Sequence, residues 1–145
     1  MTGALSTWQF WALASAVFAA LTAILAKVGV ADVAPDYATW VRTVVILLVL
    51  GAIVAATGQW RGAASVSGRS YLFLALSGLA TGASWVCYFR ALKLGDAARV
   101  APIDKLSVVL VALFGVLFLG ESLSFLNWLG VLLIGAGAVL VALRV

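Results

Sequence analysis

The sequence contains no histidine, a single cysteine and two prolines, and only 10% of its 145 residues are Asp, Glu, Lys or Arg. Each shortage excludes something. Without histidine the usual zinc constellations are absent, so no metal site is expected. Cys87 cannot close a disulfide within the chain, and its setting in an apolar run reads as a small packing residue. A soluble domain is usually about one quarter charged, so this chain is too poor in charge for an ordinary wet surface. The formal charge is +4, yet the basic residues stand singly at segment ends, without a basic patch interleaved with aromatics. Nucleic acid is therefore not an expected partner. No nucleophile, base and orienting group converge in the sequence, and the Gly115 to Ser122 region lacks the lysine and hydroxyl of a phosphate loop. Neither enzymatic activity nor a cofactor is expected.

What fills the chain is apolar: 66% of residues are hydrophobic, with a mean hydropathy of +1.22. Residues 8–26 form a run of nineteen without a charge, ended by Lys27. A helix of that length crosses a hydrocarbon core of about 30 Å. The run also exceeds a normal signal core, so a cleaved targeting segment is not expected. Further spans are predicted over 39–57, 71–89 and 125–143, with a fourth that begins between Ala97 and Pro102 and ends at Leu119. Residues 29–37 read as a turn, with Asp32, Pro35 and Asp36 as breakers and a cap. The fold class is all-α: a polytopic membrane protein with five transmembrane helices, one domain over 1–145. Short connections make sequential helices antiparallel neighbours. Trp8, Trp60 and Trp128 fall near one predicted boundary and Trp40 near the other, which suits interfacial anchoring.

The charges give a topology signal. Arg61 and Arg69 lie on the side of the N terminus, opposed by Glu121. Lys27, Lys93, Arg99 and Arg144 lie at span ends on the other side, with Arg42, Arg90 and Lys105 further in. Counting basic residues places that second side in the cytoplasm. If the three inner cations serve a cavity, the bias shrinks to two against four, and dual insertion as antiparallel copies becomes open.

Ionised groups inside a bilayer need a partner, a snorkelling route or a wet cavity, which singles out a few residues. Asp104 and Lys105 come first. Asp104 lies about 22 Å from the end of the fourth span at 1.5 Å per residue, inside the nearer boundary but not at the midplane. Two readings stand: an interfacial pair whose lysine snorkels, or a wet vestibule that recognises a charged or polar substrate. In the second, Asp104 is also the candidate for proton coupling. Adjacent residues do not share a helical face, so no direct Asp104–Lys105 bond is expected, and Arg42 or Arg90 is the alternative partner for Asp104. In the third span Ser77, Thr81, Ser84, Trp85 and Tyr88 form a polar and aromatic stripe at helical spacing. Cavity lining and core packing are both open for it. Arg42, early in the second span, is either a snorkelling cation or a contact for an anion. Gly130 and Gly137, seven apart in the fifth span, let helices approach closely and read as a helix interface. Glu121 is read as a cap of the fifth span or a partner for a loop cation.

Three stretches carry a family resemblance: Ala91-Leu-Lys-Leu-Gly-Asp-Ala-Ala-Arg-Val-Ala-Pro-Ile103, Phe114-Gly-Val-Leu-Phe-Leu-Gly-Glu-Ser-Leu123 and Trp128-Leu-Gly-Val-Leu-Leu-Ile-Gly-Ala-Gly137. Together they resemble the EamA-like domain of the drug/metabolite transporter superfamily. The resemblance implies movement of a small molecule, a metabolite or a drug, across the cytoplasmic (inner) membrane. Most members look like ten-span proteins made of two such five-span halves. This chain is similar to the single-half type, which implies a homodimer, antiparallel or equivalent, working by alternating access and lying in the lipid bilayer. A non-transporting membrane scaffold or accessory subunit, and a passive channel, are the competing classes. The resemblance supplies no universal catalytic residue.

Overall fold

The computed structural model of the protein describes residues 7–143; Arg144, counted above in the topology signal, lies outside them. The described chain is helical throughout: α1 (Trp8–Gly29), α2 (Pro35–Ala56), a short 3-10 helix (Gln59–Ser65), α3 (Gly68–Leu94), α4 (Ala97–Asp104), α5 (Ser107–Leu119) and α6 (Phe125–Ala142). Taking α4 and α5 together over Ala97–Leu119, five segments of 18 to 27 residues are long and apolar enough to cross a membrane. Within each, 6% of the apolar window is buried inside the chain. Large residues such as Trp8, Leu79, Phe118 and Phe125 stay more than 70% exposed. Water would not tolerate such a surface on a monomer; lipid does. The chain is an all-α, multi-pass integral membrane protein.

Several boundaries differ from the sequence expectation. The second helix begins at Pro35, not near Thr39, because proline at the first helical position loses no bond and presets φ. Asp36 then sits in the first turn, where the helix dipole favours it. The turn therefore shrinks to 30–34, and Arg42 lies about 10 Å along α2 from Pro35, at 1.5 Å per residue. The third helix runs past Arg90 to Leu94, so Lys93 lies within it. The fourth span is broken. Pro102 lies inside α4, and after it the backbone tightens: Leu106, Val108 and Val109 donate to the third residue before them, at 3.0 Å each. That tightened turn changes the direction of successive side chains, and the adjacent Lys105 Nζ and Asp104 Oδ2 meet at 3.3 Å, a bond not expected from helical geometry.

Contacts divide the chain into two compact units: one from Ala26 to Lys93, the other from residues up to Leu25 together with those from Leu94 onward. In the first, Val30, Phe89 and Leu92 form the buried apolar core beside Thr39, whose hydroxyl donates to Pro35 O at 2.8 Å. In the second, α6 packs against α4 and α5. Gly135 is the close approach there: a Cβ would sit 3.1 Å from Val109 Cγ2. Ala138, one turn on, is buried as well. Among the described residues a Cβ at Gly130 or Gly137 would meet nothing within 4 Å, so neither is a point of close approach there. They lie on the other side of α6 from Gly135, because two residues turn a helix by about 200°.

The α5–α6 connection is closed by backbone chemistry. Gly120 adopts φ 69°, and Glu121 N donates to Gly115 O at 3.1 Å, so the helix ends in a left-handed cap. Ser124, not Glu121, caps α6, its hydroxyl accepting from Asn127 N at 3.2 Å. Glu121 instead folds its carboxylate over the bare backbone of Gly115. Cys87 is exposed.

Candidate functional site

The Ala26–Lys93 unit gathers most of the charge near the ends of its helices. The C-terminal end of α3 and the N-terminal end of α2 are tied by a bidentate ion pair: Arg90 Nε donates to Asp36 Oδ1 at 3.0 Å and Nη2 to Oδ2 at 2.8 Å. Fork-to-carboxylate geometry fixes orientation as well as distance. Arg90 and Asp36 are thus each other's partners. Two lysines complete this end. Lys93 Nζ donates to Val30 O at 2.9 Å and also to Ala31 O, and Lys27 Nζ donates to Leu92 O at 2.7 Å. Each ammonium covers carbonyls that a helix end leaves without intrahelical donors. In hydrocarbon such orphan groups cost several kcal/mol, which explains why flexible cations are spent on them.

Further along the same helices lies the group with chemical potential. The Arg42 guanidinium stacks over Trp85, 4.3 Å from the ring centroid, and stands 5.6 Å from the centroid of Phe89. Trp85 and Phe89 are one turn apart on α3, so one ring face follows the other along the helix. Phe89 is 3% exposed, which makes it a fixed wall. Arg42, Trp85 and Tyr88 are all half-buried. The helix period brought Trp85 and Tyr88 onto one side in the sequence. The meeting with Arg42 was invisible there, as was Phe89.

The remaining candidates separate. Ser77 and Thr81 occupy the same side of α3 but are exposed, and the Thr81 hydroxyl donates to Ser77 O at 2.9 Å. Back-bonding of this kind satisfies the hydroxyl without any ligand. In the other unit, Asp104 and Lys105 pair at the break between α4 and α5, with side chains 37% and 55% exposed. Arg99 in the first turn of α4 donates through Nη2 to Ala142 O at 2.8 Å, a cation on the carbonyl end of α6. A groove between α5 and α6 is lined by Val109, Leu110, Leu132, Ala136 and Val139 among others, without a polar side chain, so it offers a solute nothing to orient it. Among the described residues no group of three or more acidic or sulfur ligands could hold a metal ion.

The EamA-like transporter family matches residues 6–143. A Sinorhizobium protein described as an "uncharacterized transporter in cobO 3'region" is 71% identical over 136 residues, covering 94% of this chain and 96% of the relative. No solved structure matches the chain.

Proposed function

We propose that this chain, which belongs to the EamA-like transporter family, carries its solute across the cytoplasmic membrane by alternating access between two paired five-helix copies. Membership itself makes it a small-molecule transporter of the membrane, not an enzyme. The observation that carries the finer reading is the Arg42–Trp85 contact, a charge about 10 Å along a spanning helix resting on aromatic side chains of its neighbour. Intramembrane cations in such a setting mark substrate pathways.

In this reading the whole of 1–145 works as one five-helix domain. Arg42, Ser77, Thr81, Trp85 and Tyr88 are the solute-contacting residues of the Ala26–Lys93 unit. Asp104 and Lys105 are those of the other unit, at a helix break of the kind transporters place beside their sites. Asp104 is the residue assigned to proton coupling. The second copy lies antiparallel and packs on the Gly130–Gly137 side of α6, where an added Cβ would meet nothing within 4 Å among the described residues.

Purified protein in sealed proteoliposomes tests the reading. Saturable solute flux, accelerated by a pH gradient in the wild type and indifferent to the gradient in Asp104→Asn, is the expected result. Flux that never saturates would make the protein a channel, and no flux for any solute would reduce it to a scaffold. Gly137→Leu should leave the monomer folded and abolish disulfide or chemical cross-linking between copies; unaltered cross-linking removes α6 from the interface.

A further inference from the structure

The Arg42 site also limits the kind of solute. We infer that the transported molecule presents a single carboxylate, and that Arg42, held over the faces of Trp85 and Phe89, binds it. The inference rests on the transport reading above and adds the substrate class to it.

Three observations lead there. The first concerns position. Arg42 lies six residues beyond Asp36 on α2, about 9 Å further from the Asp36–Arg90 end at 1.5 Å per residue. Its guanidinium rests on Trp85 and Phe89, at 4.3 and 5.6 Å from the ring centroids.

The second concerns which charges are already matched. Asp36 is the one carboxylate in α2 and α3, and both of its oxygens are taken by Arg90. Lys27 and Lys93 are bonded to backbone carbonyls. Arg42 lies over the Trp85 and Phe89 rings with Tyr88 near enough to interact with its charge, and the N–H donors of a guanidinium stand at its rim. That rim is a fork matched to a carboxylate.

The third concerns what the site rejects. An aromatic cage attracts cations, and Trp85 and Phe89 would otherwise suit an ammonium or a quaternary amine. Here the chain's own guanidinium occupies the Trp85 face, and like charge repels a second cation. A dianionic phosphate would bring two charges to one guanidinium. A monoanion is the balanced partner, and two sources can supply one: a soluble carboxylate or the phosphodiester of a lipid.

The test uses the full chain in detergent, titrated calorimetrically with acetate, pyruvate and benzoate, and with benzamide and benzylamine as the neutral and cationic counterparts of benzoate. At least one carboxylate should bind while amide and amine do not. Arg42→Gln should weaken that binding by roughly tenfold or more, since an oxyanion loses its only cation. Arg42→Lys, which keeps the charge but not the planar fork, should fall between the two. The lysine variant also guards against a glutamine variant that fails to fold. Equal binding by Arg42→Gln, preference for benzylamine, or no carboxylate binding by the wild type overturns the inference. Complete displacement of the carboxylate by added phosphatidylglycerol overturns it too, and assigns the site to lipid. Flux of the same probes in proteoliposomes separates the two readings. Binding without flux leaves the anion site standing and removes transport, whereas Arg42-independent flux keeps transport and removes the anion site.

Discussion

The two compact units of this chain are held together by different means. In Ala26–Lys93 polar contacts surround a small apolar core of Val30, Phe89 and Leu92: Arg90 on Asp36, Lys93 on the α1–α2 turn, Lys27 on Leu92 O, Arg42 on Trp85. In the other unit the contacts are steric. Gly135 receives Val109, Ala138 is buried, and α4 meets α6 through small residues and one capping arginine. Lipid explains the contrast. Apolar side chains gain little by leaving hydrocarbon for another helix, so association depends on close backbone approach or on polar contacts. One unit uses each. The electrostatic unit is the one with chemistry to offer a solute, because a cation that must find a partner can find a ligand instead.

Several substitutions would break or sharpen this contrast. Arg42→Gln should have the largest effect, cutting saturable flux by roughly tenfold or more with folding preserved, as read by proteoliposome transport beside size-exclusion elution. A comparable loss from Gly135→Leu with normal elution would mean that the steric unit also carries the chemistry. Gly135→Leu should instead unfold or loosen its own unit, because the added side chain meets Val109; the cost of such overpacking is about 1–3 kcal/mol, measured by denaturant titration in mixed micelles. Trp85→Leu keeps an apolar wall but removes the ring, and should raise the apparent KM several-fold by loosening Arg42, with less change in the maximal rate. The smallest effect should come from Asp36→Asn. Both partners of that pair are well exposed, at 59% and 60%, and exposed pairs are worth little. Flux should change by about twofold or less, and exchanging the two charges as Asp36→Arg with Arg90→Asp should restore wild-type behaviour. A large loss from Asp36→Asn would place the ion pair in the transport path itself.

Much of the site was legible only in pieces. Arg42, Trp85 and Tyr88 stood out in the sequence because a charge inside an apolar run and an aromatic stripe at helical spacing are both local signals. Their meeting was not legible, because helices that are apolar all round announce no face that must turn inward. Phe89 had no signal beyond being another aromatic in an apolar run, and burial alone made it a wall. The Asp36–Arg90 pair was missed for a related reason: the turn was read as extending to Tyr37 and α3 as ending at Arg90, which left the two residues looking like boundary markers. In α6 the seven-residue spacing of Gly130 and Gly137 drew attention to one side, while the chain packs on the other through Gly135 and Ala138.

Composition and hydropathy by themselves determined that this protein lives in lipid and has five segments able to span it, and three short motifs tied it to a family of small-molecule transporters. Those conclusions need only local sums: the length of an apolar run, the position of a charge, the pattern of a short motif. Tertiary structure alone decided which cation meets which acceptor, which glycine takes a neighbour, and that the fourth span breaks beside Asp104. Those depend on the rotation and depth of one helix against another, and in a solvent as apolar as the side chains no hydrophobic face exists to dictate them.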